Sequence, residues 1–303
     1  MTITIEQVIE KIADWRGKDV SVQPISGGLT NTNYRVEVAG TPYVVRIPGA
    51  STELLAVNRE NEYYNTKAAA DAGVGAKIAH YLLEDRVMVL EYIYGETMSI
   101  EALQRPGMPT RIAQALKLLH AGPRFLTDFN MFRLTEYYLK IVAEYGVRIP
   151  DGFRERMPLV YEQIEPALLV NPLPTAPCNN DLLAENYIDD GHLLRTIDFE
   201  YSGNNDPCFE LGNTCQEQQY DEPRIVEMCA AYFGEPYPDK LARMKLNMIM
   251  SDVGWTLWAA IQAKISTIDF DFWGWAVERW ARAEAKMDSA EFSHWLSDVQ
   301  QTR

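Results

Sequence analysis

Cysteine, histidine and long apolar runs are scarce in this 303-residue chain. The four cysteines, Cys178, Cys208, Cys215 and Cys229, form no C-x-x-C pair and have no histidine cluster beside them. The spacing of a zinc site is therefore missing, and reduced thiols in the cytoplasm are expected. No apolar stretch approaches the roughly 18 residues of a membrane span. The first residues, with Glu6, Glu10 and Asp14 set among Ile5, Val8, Ile9 and Ile12, read as an amphipathic helix instead of a signal peptide. Positive charge is sparse as well: 28 Lys and Arg face 43 Asp and Glu, for a formal charge of -15. That balance speaks against a nucleic-acid or anionic-membrane surface; it either favours approach of a cation or simply keeps the chain soluble. Internal repeats and low-complexity tracts are missing too, which excludes a solenoid or a long disordered arm.

What is present suits a soluble α+β protein. With 47% hydrophobic residues the chain buries a substantial core and divides into two lobes. After the opening helix, short β-prone runs at 20–25, 33–38 and 42–47 alternate with polar or glycine-rich turns. The segment 57–72, rich in Ala and Glu and stopped at Gly73, predicts a helix, and strands follow at 77–83 and 87–92. Beyond Thr97 helical periodicity dominates, over 110–120, 134–145 and 152–169. His120 closes one of these helices and receives no chemical role.

Chemistry concentrates in NNDLLAENYIDDGHLLRTIDFE, residues 179–200. The apolar runs 186–188 and 193–197 flank the turn Asp189-Asp190-Gly191 and predict a hairpin with Asn186 at its mouth and Asp198 returned to the same end. Asp181 would then overhang a metal site made by Asn186 and Asp198. Such a set meets the needs of phosphoryl transfer: a group beside the acceptor hydroxyl, and oxygen ligands for Mg²⁺. Asp and Asn also punctuate ordinary turns, and Asp181, Asp198 and Glu200 could serve as hydrolase acids. The hydrolase reading leaves Asn186, the glycine turn and Arg46 unused.

Two features of the first lobe fit a nucleotide. The turn Ser26-Gly27-Gly28-Leu29-Thr30-Asn31 offers backbone N–H groups and small polar side chains that either fold over phosphates or merely close a hairpin. Arg46 is the one charged residue in the strand Tyr43-Val44-Val45-Arg46-Ile47, and its guanidinium is able to grip phosphate bidentately. In the second half, Trp255 and Trp258 share a helix face, and a further aromatic group at 270–275 ends in Trp275. Aromatic faces serve core packing, or bind a quaternary ammonium that has no proton to donate.

These segments together resemble the choline/ethanolamine kinases, a branch of the aminoglycoside-phosphotransferase-like enzymes. The similarity runs from Ile25 to about Trp280 and is carried by Asn180-Asp181, Asn186, Ile197-Asp198-Phe199-Glu200-Tyr201 and WTLWAAIQAKISTIDF. It implies a protein-kinase-like fold with a small antiparallel-sheet lobe, 1–93, and a larger, mainly helical lobe, 94–303. It also implies ATP-dependent phosphorylation of the hydroxyl of choline, with Mg²⁺. Ethanolamine, an aminoglycoside or another amino alcohol are the alternative acceptors.

By position, the resemblance makes Asp181 and Arg46 catalytic, and Asn186 and Asp198 metal ligands. The nucleotide falls to Ser26, Gly27, Gly28, Thr30 and Asn31, to Arg46 held by Glu60 with Glu62 as the alternative, and to a hinge near Glu91 and Ile93. The acceptor cation falls to Tyr201, Trp255, Trp258 and Trp275, with Glu217 as the carboxylate and Tyr220 as a further candidate. Asn179 departs from the pattern, standing where the family carries a loop-bracing His. Asn is shorter and uncharged at neutral pH, so a catalytically impaired pseudokinase is a second expectation.

Overall fold

The computed structural model describes residues 3–25, 28, 30–49 and 52–301. Ser26 and Gly27 of the glycine turn lie outside them. Helix α1 (Ile5–Lys11) begins at a capping box between Thr4 and Gln7. It is followed by β1 (Val20–Ile25), β2 (Asn31–Val38) and β3 (Thr41–Pro48). The β2–β3 hairpin turns at Ala39 and Gly40, both at positive φ (49° and 81°), the primed geometry whose twist matches the flanking strands. Helix α2 (Arg59–Asp71) starts where the Asn58 side chain accepts from the Glu60 and Asn61 amides. Then come β4 (Ile78–Leu82) and β5 (Val87–Glu91), which complete an antiparallel sheet of order β1-β2-β3-β5-β4.

The two-residue period of these strands separates core from site. Val45, Ile47, Val87 and Val89 point to one face and pack with Ile5, Val8, Ile12 and Trp15. The alternate residues Val44, Arg46, Met88 and Leu90 point to the other face and line a cleft. One register fixes both sets, so a slip of one residue would bury Arg46 among valines.

The rest is mainly helical. Strand β6 (Glu96–Thr97) leads to α3 (Ile100–Leu103), α4 (Met108–His120), α5 (Met131–Tyr145), α6 (Phe153–Leu159) and α7 (Glu165–Val170). The continuous helix expected over 152–169 is instead α6 and α7 joined by a π-helical turn, Val160–Ile164. Pro158 and Pro166 account for this, since neither donates an N–H to the α-helical ladder. Strand β7 (Ala176–Cys178) enters the catalytic segment, which contains the hairpin of β8 (Tyr187–Asp189) and β9 (Leu194–Thr196). Strand β10 (Gly203–Asn205) pairs back onto β7. Helices α8 (Pro207–Glu217), α9 (Glu222–Phe233), α10 (Pro238–Ile265), α11 (Phe272–Met287) and α12 (Phe292–Asp298) complete the chain. Helix α10 is buried on nearly all sides from Ala242 to Gln262, as expected of a central core helix. Among the described residues, no helix is long and apolar enough to cross a membrane.

Candidate active site

The catalytic loop, 179–186, hangs between β7 and the β8–β9 hairpin, and its shape is held by side chains that the sequence supplies locally. Asn180 adopts φ 70° and Asp198 φ 62°, left-handed conformations that Asn and Asp tolerate better than other non-glycine residues. The Asn180 amide donates to the carbonyls of Cys178 (3.2 Å) and Tyr201 (3.1 Å). Asn179, in place of the expected His, donates to the carbonyls of Ile197 (3.1 Å) and Asp198 (2.8 Å) and accepts from the Asp181 amide (3.1 Å). One buried Asn thus joins the loop bearing Asp181 to the strand end bearing Asp198. Asn186 donates through Nδ2 to the Asp181 carbonyl (2.7 Å), leaving its Oδ1 as the available metal donor.

Arg46 reaches this group from β3. Its guanidinium forks onto Asp198, Nη1 to Oδ2 at 3.2 Å and Nη2 to Oδ1 at 2.8 Å, and also donates to Glu62 Oε1 at 3.0 Å. Burial depresses its pKa, but the Asp198 and Glu62 carboxylates outweigh that, and the guanidinium stays firmly charged. The expected partner Glu60 is not the one used: it is exposed, and Glu62 is buried. Helical spacing explains the correction, because Glu62 lies three residues beyond the buried Arg59 on the same face, whereas Glu60 is turned about 100° away. Arg59 donates to Glu62 (2.7 Å) and to Glu200 (3.2 Å).

Glu200, which sequence reading left without a role in the kinase site, ties the lobes together. Thr30 Oγ1 donates to it at 2.7 Å and Asn31 Nδ2 at 3.1 Å, so the described part of the glycine turn is fastened to the catalytic segment. Gly28 admits no side chain, because a Cβ there would lie 2.3 Å from the Asn31 carbonyl. Burial, together with Asp198 and Glu62 and against Arg46 and Arg59, pushes the Glu200 carboxyl up to about 7. Burial also raises Asp181 well above the ordinary carboxylate range, reinforced by Glu217, Asp198 and Glu200 and opposed by Arg279.

This surplus of negative charge provides the fit test for a metal. Carboxylate oxygens of Glu62, Asp198 and Glu200 lie within 4.8 Å of one another. Asn186 lines the same cleft as Glu62 and Asp198, so its amide oxygen and these carboxylates supply all-oxygen donors, suited to a hard divalent cation such as Mg²⁺. Beside it opens a cleft of about 380 Å³. Ile25, Val44, Ala76 and Leu90 come from the sheet side and Ile188 and Ile197 from the hairpin, with Glu91 and Ile93 at the connecting strand. A flat base fits between two such apolar layers.

The aromatic residues converge on Tyr201, which feels the charge of Asp181. Trp258 Nε1 donates to the Tyr201 hydroxyl at 2.6 Å, and Trp255 meets the Tyr201 ring edge-on with centroids 4.9 Å apart. Trp275 stands perpendicular to Trp258 at 5.9 Å, and Phe270 meets Trp275 at 5.6 Å. Tyr201, Trp255 and Trp258 are buried; Trp275 is half-buried.

Glu217 belongs to this neighbourhood but is not a free carboxylate. Arg279 donates to both of its oxygens, at 2.6 and 2.8 Å, while stacking over Trp275 at 4.2 Å. Asp252 completes the network by accepting from Arg282 at 2.6 Å. Burial raises its carboxyl to about 6, against the pull of Arg282 and Arg279. Tyr220 is elsewhere: its hydroxyl donates to the Leu103 carbonyl, and its ring is buried with Ile225 and Met228. Neither contact is with the aromatic group or with the acids around Asp198, and its proximity in sequence to Glu217 is undone by the end of α8. Arg279 was missed because it lies 62 residues from its partner, with no local pattern to connect them.

The fold and these groups have recognisable relatives. Residues 22–233 match the family described as choline/ethanolamine kinase. A choline/ethanolamine kinase family protein from Mesorhizobium loti is 35% identical, with 96% of each chain covered and a TM-score of 0.85. The choline kinase LicA of Streptococcus pneumoniae is 26% identical over 93% of this chain and 98% of its own, with a TM-score of 0.78. Mouse ethanolamine kinase 1 is 28% identical, covering 88% of this chain and 83% of that protein. The chain therefore belongs to the choline/ethanolamine kinase family, protein-kinase-like in fold and a phosphotransferase with an alcohol group as acceptor.

Proposed function

We propose that the protein is an ATP-dependent choline kinase. The observation that carries this acceptor is the Arg279 fork on Glu217. A primary ammonium asks for hydrogen-bond acceptors, yet both Glu217 oxygens already accept from Arg279 and the Tyr201 hydroxyl already accepts from Trp258. Those acceptors are shared with protein donors, and the rest of the lining is aromatic: Tyr201, Trp255, Trp258 and Trp275. Each contributes about 0.5–2 kcal/mol to a cation that carries no N–H to satisfy.

In this reading Asp181 orients the acceptor hydroxyl and receives its proton, a task favoured by a carboxyl held above its ordinary range. Residues 1–93 form the nucleotide lobe and 94–303 the catalytic and acceptor lobe. The base lies against the Glu91–Ile93 connection, and the turn that includes Ser26, Gly27, Gly28, Thr30 and Asn31 covers the phosphates. Arg46 exchanges its grip on Asp198 for a phosphate oxygen. Asn186 and Asp198 would hold Mg²⁺, with Glu200 next to them. Bound there, the ion screens the charge that develops on the transferred phosphoryl group. Four free, buried cysteines suit a reducing cytoplasm.

Steady-state kinetics with choline and ethanolamine test the acceptor. Choline should exceed ethanolamine in kcat/KM by at least about ten-fold, the equivalent of 1.4 kcal/mol. Equal or better use of ethanolamine would overturn the choline reading and leave the family assignment intact.

A further inference from the structure

We propose that Tyr138 is a positioning residue that makes nucleotide and acceptor binding interdependent, by fastening the entry to α2 onto the aromatic group around Tyr201. Tyr138 lies in α5, fully buried, and its hydroxyl donates to the Leu55 carbonyl at 2.9 Å. Leu55 belongs to the segment between β3 and α2, yet it and Val57 are buried with Tyr201, Trp255 and Trp258 and not with the core of the β-sheet. The segment is strained where it is held. Ala56, which follows the bonded peptide plane, is exposed and adopts φ 61°, a left-handed conformation that a non-glycine residue keeps only under constraint.

The same phenol adjoins the acceptor neighbourhood. Burial raises it well above the ordinary tyrosine value, the Tyr201 hydroxyl opposes that rise, and Asp181 adds to it. The Tyr201 hydroxyl in turn accepts from Trp258. A cation seated on these rings orders Tyr201 and Trp258, and with them the phenol that fixes the Leu55 carbonyl. Three residues beyond Leu55, Asn58 caps α2, and in the first turn of that helix Glu62 holds Arg46. Asn61 and Asn65 pin α2 to the Ser202 carbonyl at 2.9 and 3.1 Å, so losing the Tyr138 hydroxyl would free the entry without detaching the helix. Ordering at one site lowers the cost of ordering at the other, and such coupling is reciprocal.

The coupling rests on the two binding sites of the proposed function, for whichever amino alcohol binds. Calorimetry measures Kd for choline and for ethanolamine, with and without Mg²⁺ and the β,γ-imido analogue of ATP, in wild type and Tyr138→Phe. In wild type the analogue should lower the amino-alcohol Kd at least about five-fold. Tyr138→Phe keeps the ring and should bind the amino alcohol alone within about two-fold of wild type, while the effect of the analogue shrinks below about two-fold. Hydrogen exchange over residues 54–58 should slow on adding the amino alcohol in wild type and not in the variant. A hydroxyl that served packing alone would leave the coupling unchanged, so equal coupling or equal slowing in the two proteins overturns the proposal. A wild type that binds both ligands independently does the same. If Tyr138→Phe does not fold, the double variant Tyr138→Phe, Ala56→Gly decides, because glycine carries the positive φ without strain: it should bind both ligands without coupling, and coupling retained there is a refutation. A wild type that binds the nucleotide analogue but neither amino alcohol defeats the acceptor reading, and the proposal falls with it.

Discussion

Replacing Asn179 with Ala should cripple turnover while leaving nucleotide affinity nearly intact. The side chain makes three hydrogen bonds, to the Ile197 and Asp198 carbonyls and from the Asp181 amide. At about 1 kcal/mol each their loss amounts to about 3 kcal/mol, before counting the two carbonyls and one N–H left buried without partners. Part of that energy holds Asp198 at φ 62°, a conformation that costs roughly 1–2 kcal/mol and relaxes when unbraced. Two of these bonds end on backbone carbonyls at the cleft wall, but none involves the sheet-side residues or the Glu91–Ile93 connection. The penalty therefore falls on the mutual placement of Asp181 and Asp198, and 3 kcal/mol there corresponds to about 10²-fold in kcat.

The assay is ADP release under saturating nucleotide and choline, with the nucleotide KM measured in parallel. Asn179→Ala should lose about 10²-fold in kcat with KM within about three-fold of wild type. Asn179→His restores the residue usual in the family and should stay within about ten-fold of wild type, since an imidazole offers one donor and one acceptor where the amide offers more. A folded Asn179→Ala enzyme retaining kcat within three-fold or so would refute the bracing role. A wild type inactive towards every amino alcohol would restore the pseudokinase alternative that Asn179 first suggested.

Two further outcomes follow from the charge around Asp198. Because Arg46 forks over both Asp198 oxygens, Arg46→Met should bind Mn²⁺ without nucleotide about ten-fold more tightly than wild type while its nucleotide KM rises. Electron paramagnetic resonance of free Mn²⁺ measures the first change, and equal affinities would show that Arg46 does not compete with the metal. The Glu200 carboxyl is raised from its ordinary value to about 7, so between about pH 4.5 and 7 the folded chain binds more protons than the unfolded one, and stability falls as pH rises through that window. Mg²⁺ with nucleotide should therefore raise Tm more at pH 7.5 than at pH 5, and a gain independent of pH would refute the link.

Much of the fold was legible because its elements carry local signals. β1 runs from Val20 to Ile25 as read, and α2 differs from its expected span by two residues at its start and one at its end. Helix α8 was not read: its polar residues Glu210, Asn213, Thr214 and Glu217 are buried along with its apolar ones, so no solvent-facing stripe marks it as a surface helix. The catalytic loop and its hairpin were visible in the spacing of Asp181, Asn186 and Asp198, since Asx turns and a β-hairpin are themselves short-range. Glu62 was legible only as the alternative to Glu60, and the parts played by Glu200 and Arg279 were not legible. Each acts through a partner on a different element, and an acid or base in the sequence does not announce which distant charge will meet it.

That distinction bears on how an acidic chain selects a cation. The net charge of -15 suggests broad attraction, yet in the acceptor neighbourhood Glu217 and Asp252 are matched by Arg279 and Arg282. These pairs cancel and leave Asp181 as the unmatched acid nearby, and general attraction does not distinguish one ammonium ion from another. On the proposed reading, discrimination then rests with the rings and with the guanidinium lying against Trp275 at 4.2 Å, which takes one lone pair on each Glu217 oxygen and leaves an incoming N–H to share a carboxylate already neutralised. A buried pair of this kind is a weak source of stability, because desolvation offsets much of its Coulomb energy. On that reading its stronger consequence is selective: with one lone pair of each Glu217 oxygen held by Arg279, a methylated ammonium gains ring contacts without needing an acceptor, whereas a primary ammonium must share acceptors with the guanidinium.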